Sequence, residues 1–138
     1  MRSRISLIAE SAFACVESAA RDTEARPKKY GALCLNLPAL LQTNGLAQTA
    51  AFLQAKSAKQ PHARLLLLHL ARLVMPGAQG SEDQRIQDFV RHARMSDQLT
   101  YRELTRTART ASVWLKRYAE AQLRVEVADE DEDEVKPA

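Results

Sequence analysis

The C-terminal part of the chain contains a long stretch, residues 100–127, with neither glycine nor proline. Neither helix-breaking residue interrupts it, and its apolar residues recur at three- and four-residue steps. Thr100 is followed three positions later by Glu103, a spacing typical of a capping box at a helix start. The pattern therefore predicts one long helix over residues 100–127, and the rest of the chain must fold so that it packs along this helix.

The two faces of this predicted helix differ in character. Small and apolar residues share one narrow stripe, formed by Leu104, Ala108, Ala111, Leu115 and Tyr118. The opposite side carries six cations, interrupted by Val113 and Glu120; they are Arg102, Arg106, Arg109, Lys116, Arg117 and Arg124. A row of cations with few acidic neighbours suits a polyanion. We therefore predict that this face binds RNA, with an ordinary solvated helix face as the alternative.

The remainder of the chain predicts further helices and no strand. Apolar residues recur at helical spacing in five more segments: residues 3–21, 28–44, 46–58, 61–75 and 81–94. Pro38 is expected to kink or split the second segment, and Asn44-Gly45 is a typical helix stop. The leucine-rich fourth segment is apolar on nearly all faces, which predicts the most buried helix. The predicted fold class is all-α, a single domain over residues 1–128 built as a compact bundle of about six helices, the last one longest.

Charge is distributed unevenly along the chain. Residues 129–134 are six consecutive acidic residues, whereas residues 1–128 hold 19 Lys or Arg against 11 Asp or Glu. Such a basic body favours nucleic acid or an anionic surface as a partner. Residues 129–138 have too little apolar surface to offset the entropy of ordering, so we predict a disordered acidic tail. The tail is interpreted as a solubilising extension or, alternatively, as a competitor of RNA for the basic face.

The sequence offers little that is typical of catalysis. The three histidines are dispersed, at His62, His69 and His92, and no Gly-rich phosphate loop is present. Cys15 and Cys34 are too far apart for a CxxC motif, and we expect buried free thiols, compatible with a reducing cytoplasm. The longest apolar stretch, residues 65–75, is far short of the roughly 20 residues that span a bilayer. We therefore predict a cytoplasmic protein that is no enzyme and has no metal, cofactor, small-molecule substrate or membrane partner.

Three stretches taken together resemble one known family. They are Tyr30-Gly31, Leu37-Pro38 and NGLAQTAAFL at residues 44–53; YRELT at residues 101–105; and WLKRYAEA at residues 114–121. Over about residues 5–123 their order and spacing are similar to those of the small helical subunit of the Cmr complex, the type III-B CRISPR RNA-guided effector. Two departures are Ala47, where the family often has glycine, and the absence of a tryptophan near Leu73.

The resemblance implies a compact all-helical protein without catalytic activity that acts in antiviral defence. Several copies are expected to stack along a filament of the complex, where they line the groove for guide RNA and target RNA. Cleavage and nucleotide signalling are expected to belong to other subunits of the complex.

Further residues are candidates for contact with RNA or with a neighbouring subunit. Lys28 and Lys29 begin the second helix and Lys56 lies near the end of the third, so these lysines could extend the RNA groove. Generic surface lysines are the alternative. Candidates for the subunit interface are Gln48, Thr49 and Trp114. A structural role at a helix end is the alternative for the first two.

Two other functions are compatible with the residues alone. A helical DNA-binding regulator would use residues 81–94 and the last helix as a helix-turn-helix pair. However, the cations run the full length of the last helix, whereas a recognition helix is short and reads bases from its N-terminal residues. A scaffold would instead dock an acidic protein on the basic face. A regulator would footprint a specific duplex, and a scaffold would keep its RNA affinity when the basic face is neutralised.

Overall fold

A computed structural model describes residues 3–125, which form helices joined by short connections. In chain order they are α1 (Arg4–Arg21), α2 (Pro27–Ser57), α3 (Pro61–Val74), α4 (Glu82–Met95) and α5 (Gln98–Tyr118). A 3-10 turn, Thr23–Ala25, links α1 to α2, and a π-helical turn, Ala119–Leu123, continues α5. No strand occurs in this range, and the predicted all-α class is confirmed. The predicted acidic tail, residues 129–138, lies outside the described residues.

The second helix breaks at Gly45. The backbone there has φ 82° and ψ 171°, which divides α2 into two helical halves. Glycine adopts this conformation without a steric penalty because it has no Cβ. Pro38, which was expected to kink or split this segment, lies inside the first half, and the helix is not split there. The φ of proline is compatible with a helix, but its missing N–H and the clash of its ring with the preceding turn cost stability. With α2 counted as two halves, residues 3–125 contain six α-helical segments, in agreement with the predicted number of about six.

The third helix is the centre of the bundle. It contacts each of the other four helices, and ten of its 14 residues are buried. This confirms the leucine-rich segment as the most buried helix. A deeply buried polar contact joins His69 Nδ1 of this helix to the Tyr30 hydroxyl at 2.7 Å, so both groups are satisfied without water.

Side chains cap the starts of the last two helices. At α4, Ser81 Oγ accepts a hydrogen bond from the backbone N–H of Gln84 at 3.1 Å. At α5, the carboxylate of Asp97 accepts from the N–H of Thr100 at 2.8 Å. Hydrogen bonds from the backbone and the side chain of Thr100 lower the pKa of Asp97. The N-cap of α5 is therefore Asp97, which corrects the capping box predicted for Thr100 and Glu103.

The last helix ends earlier than predicted. Together with its π-helical turn it is 26 residues long and is the longest unbroken helix. Arg124 takes a left-handed φ of 54° and ends it. Val125 then packs on α2, where a Cβ on Gly31 would lie only 2.7 Å from Val125 Cγ1. The glycine at position 31 is therefore what allows the chain to close over α2 after Leu123.

Both cysteines are free and buried, as predicted. Burial raises the pKa of Cys15 to about 11 and raises the pKa of Cys34 well above its ordinary value. Both side chains are therefore protonated thiols at neutral pH. Among the helices of residues 3–125, none is long and apolar enough to cross a membrane.

Candidate nucleic-acid interface

The start of α5 is anchored to the break in α2. The Tyr101 hydroxyl accepts a hydrogen bond from the backbone N–H of Ala47 at 3.1 Å. A Cβ on Gly45 would lie 3.3 Å from the same hydroxyl. The first N–H groups after a helix break lack acceptors in the preceding turn, so Tyr101 acts as the cap of the second half of α2. This contact fixes where the first turns of α5 lie, and with them the basic side chains of that helix.

Three arginines of α5 surround a shallow groove. Arg102, Arg106 and Arg109 are exposed. The groove has a volume of about 450 Å³, and its other lining residues are Tyr101, Thr105 and Thr110. None of the three arginines forms an ion pair or a side-chain hydrogen bond with another residue in the described part of the chain. Their guanidinium groups therefore remain available for bidentate hydrogen bonds to phosphate.

The other cations of the predicted stripe are placed differently. Lys116 is half-buried, and Nη1 of Arg117 lies 3.6 Å from a carboxylate oxygen of Glu120. Arg124 is exposed but follows the π-helical turn, where the helix has ended. The stripe therefore consists of an arginine triad (Arg102, Arg106 and Arg109) and a separate, less available group towards the C-terminus.

The structure separates the three lysines that were expected to extend the groove. The Lys28 ammonium donates to the backbone carbonyl of Arg124 at 2.9 Å. Lys29 is half-buried and lines a different cleft, near the start of α2. Lys56 lies with Nζ 5.0 Å from the centroid of the Phe52 ring, a cation–π contact. None of the three lines the groove beside the arginine triad.

The candidate interface residues differ in exposure. Gln48 is exposed, whereas the side chain of Thr49 is fully buried. Thr49 therefore fits the structural alternative, because it offers no surface to another subunit. Trp114 is half-buried and stacks on Tyr118, with ring centroids 5.6 Å apart and an interplanar angle of 22°. The ring of Phe13 meets Tyr118 edge-on at 5.4 Å, so Trp114 belongs to an aromatic cluster between α1 and α5.

Sequence reasoning missed one arginine that shapes the surroundings of the triad. Arg4 of α1 donates to the Thr107 hydroxyl at 2.6 Å and lies 3.9 Å from the carboxylate of Glu103. Arg4 therefore pairs with the acidic residue that is closest in sequence to the triad. No local pattern could have shown this, because the contact joins positions far apart in the chain.

The histidines and other metal-ligating side chains are dispersed. No three His, Cys, Asp or Glu side chains within residues 3–125 are placed to hold a metal ion. His69 is buried in the core, and desolvation, followed by the charge of Arg72, lowers its pKa to about 4. It is therefore neutral at physiological pH and serves as a core residue.

Comparison with known proteins places the fold and the three motif stretches in one family. A family model described as CRISPR-associated protein (Cas_Cmr5) matches residues 6–122. The CRISPR system Cmr subunit Cmr5 of Thermus thermophilus is 34% identical over 121 residues, covering 88% of this chain and 96% of that protein. The crystal structure of a CRISPR-associated Cmr5 family protein from the same species matches with a TM-score of 0.74 at 30% identity, covering 88% of this chain and 97% of that one. The chain belongs to the Cmr5 family of CRISPR-associated proteins.

Proposed function

We propose that this protein is a non-catalytic small subunit of a type III-B CRISPR effector complex and acts in the cytoplasm in antiviral defence. Membership of the Cmr5 family supports its place beside other Cmr subunits. Within the complex it binds guide RNA and target RNA through α5. The observation that carries RNA binding is the groove lined by the arginine triad, whose guanidinium groups have no acidic partner among the described residues.

The open shape of the groove suits contact with a sugar–phosphate backbone. Contacts to phosphate fix the register of a strand but read no sequence. In an RNA-guided complex, base pairing between guide and target supplies the specificity. A surface that reads no bases needs no pocket shaped to them, and the three arginines lie within about 11 Å along the helix axis, so they can contact one strand together.

Further copies of the chain are proposed as partners, stacked along a filament. Linking several binding sites raises the effective concentration of the strand at each site. A single subunit with weak RNA affinity is therefore consistent with a tightly bound strand in the complex. Gln48 and Trp114 remain the candidates for contact with a neighbouring subunit, since both have accessible surface.

Fluorescence anisotropy with a short single-stranded RNA tests the role of the triad. The test variant is Arg106→Gln/Arg109→Gln. The matched control is Arg91→Gln/Arg94→Gln, which makes the same change in net charge on α4, where both arginines are exposed. Each phosphate contact contributes about 0.7 to the slope of log affinity against log salt for a single strand, so the slope should flatten by about 1.4 in the test variant.

Three outcomes separate the proposal from its alternatives. An unchanged slope in the control together with a flatter slope in the test variant supports the triad as the phosphate-binding surface. Equal losses in both variants would show that only net charge matters and would refute a defined site. Preference for a duplex DNA over the RNA would instead favour the helix-turn-helix regulator.

A pull-down from the native host tests the place in a complex. Recovery of other Cmr subunits with short RNAs that share a repeat-derived 5′ end is expected. Recovery of the protein alone or with duplex DNA would contradict the proposal and favour the regulator. Recovery with an acidic protein and no RNA would favour the scaffold interpretation.

A further inference from the structure

A second basic surface forms where the two ends of α2 meet. Because α2 turns back at Gly45, residues just before and within its first turn line one cleft together with residues that follow its end. This cleft has a volume of about 490 Å³, and the residues from the two ends are Thr23, Glu24, Arg26 and Lys29 on one side and Lys59, Gln60, Pro61 and His62 on the other. It shares no lining residue with the groove beside the arginine triad.

The cleft collects positive charge from parts of the chain that are distant in sequence. Three cations line it, Arg26, Lys29 and Lys59, against the single carboxylate of Glu24. The side chains of Arg26 and Lys59 are exposed, and neither forms an ion pair or a hydrogen bond with another residue between positions 3 and 125. The charges of Arg26 and Lys59 therefore face this concave surface without being cancelled by those neighbours.

The helices add to this positive potential. The first helical residue of α2 is Pro27, directly after Arg26, and the first of α3 is Pro61, which itself lines the cleft. The N-terminus of a helix carries a partial positive charge, so both helix starts attract an anion in the same region. The three cations and the concave shape are the basis of the inference, and the helix starts strengthen it.

We propose that this cleft is a phosphate-binding site, separate from the groove on α5. Arg26 is placed to bind phosphate oxygens in a bidentate manner, and Lys29 and Lys59 are placed to neutralise the charge. The phosphate groups can belong to an RNA backbone or to a small free polyphosphate. The Lys28–Arg124 hydrogen bond places the start of α2, which borders the cleft, beside the end of α5, at the opposite end of that helix from the arginine triad.

Titration of the full-length protein with pyrophosphate, followed by the amide resonances of the ¹⁵N-labelled protein, tests the site directly. The test variant is Arg26→Asn/Lys59→Gln. Arg26 has a left-handed φ of 50°, a conformation that asparagine tolerates well, so the variant should keep the fold. The control is again Arg91→Gln/Arg94→Gln. Saturable shifts are expected at residues 23–29 and 59–62, with affinity about tenfold or more weaker in the test variant and nearly unchanged in the control.

A second titration with a short single-stranded RNA identifies the source of the phosphate. Weaker affinity of the Arg26→Asn/Lys59→Gln variant for both ligands supports an RNA backbone in the cleft, and weaker affinity for pyrophosphate alone supports a small polyphosphate. Shifts that do not saturate, or an equal loss in test and control variants, would overturn the proposal. The pyrophosphate result does not depend on the triad, so failure of RNA binding on α5 would leave this test decisive.

Discussion

Acidification should destabilise this protein through His69, and the size of the effect follows from its surroundings. The ring is buried, with Nδ1 2.7 Å from the Tyr30 hydroxyl. Desolvation first, and the charge of Arg72 second, lower its pKa from 6.5 to about 4, while the charge of Asp22 acts in the opposite direction. The neutral ring fits the core, and a protonated ring does not.

The sign and the magnitude of the effect follow from the two pKa values. An unfolded chain protonates this ring near pH 6.5, and the folded chain does so only near pH 4. Between these values the unfolded state binds more protons, so the free energy of unfolding falls as the pH falls. The contribution of the neutral His69 ring to the free energy of unfolding is fully present above pH 6.5 and is lost progressively down to about pH 4. At about 1.4 kcal/mol per pKa unit, the total loss is about 3 kcal/mol.

Urea unfolding followed by circular dichroism between pH 7 and pH 4 measures this loss, with His69→Asn as the comparison. The asparagine amide can still form a hydrogen bond with Tyr30 but does not titrate, and its smaller size costs about 1–2 kcal/mol at every pH. The variant should therefore be less stable than the wild type at pH 7 and more stable at pH 4. A difference between the two proteins that stays constant over this range would refute the argument, because other acid-titrating groups affect both equally.

Three further substitutions test contacts that shape the fold, each by urea unfolding at pH 7. Tyr101→Phe removes the acceptor for the Ala47 N–H and should lower the free energy of unfolding by about 1–2 kcal/mol; no change would show that water replaces the hydroxyl. Gly31→Ala should lower the free energy of unfolding by about 1–3 kcal/mol, because the new Cβ overlaps Val125. Adding Val125→Ala to this variant should recover part of the loss. No recovery would show that backbone movement already relieves the overlap. Ser81→Ala should lower the stability by about 1 kcal/mol through loss of the α4 cap, and a larger loss would indicate a role beyond capping.

The helices could be predicted from the sequence because their causes are local. Apolar periodicity and the stop at Gly45 depend on residues within a few positions of one another. The errors at Pro38 and Thr100 are also local, and each arose where two signals competed. An interior proline loses a hydrogen bond and crowds the preceding turn, yet the segment around Pro38, which packs into the core, stays helical. At the start of α5, the free N–H of Thr100 is capped by Asp97, three residues earlier, so Thr100 is not the N-cap.

The candidate site could be predicted only in part, because pairing and burial depend on the tertiary fold. Periodicity placed Arg106 and its neighbours in the triad on the exposed face of α5, and that is where they lie. It could not show that Thr49 is buried, or that Lys28 contacts the end of α5. The cleft that contains Lys29 and Lys59 could not be predicted from the sequence either, since it exists only because α2 turns back on itself.

The residues of the family motifs have structural roles, whereas the exposed basic residues are the candidates for RNA binding. Gly45, Tyr101 and Gly31 identify the family, and each has a structural explanation: a helix break, its cap, and a close approach of the chain end. None of these roles requires RNA. A variant of Tyr101 should therefore lower stability first and RNA affinity only as far as α5 moves. Arg106→Gln should lower RNA affinity with little effect on stability, because its side chain is exposed and has no partner within residues 3–125. If both variants changed stability and RNA affinity in the same proportion, the arginine triad would be part of the fold, and the RNA surface would have to lie elsewhere.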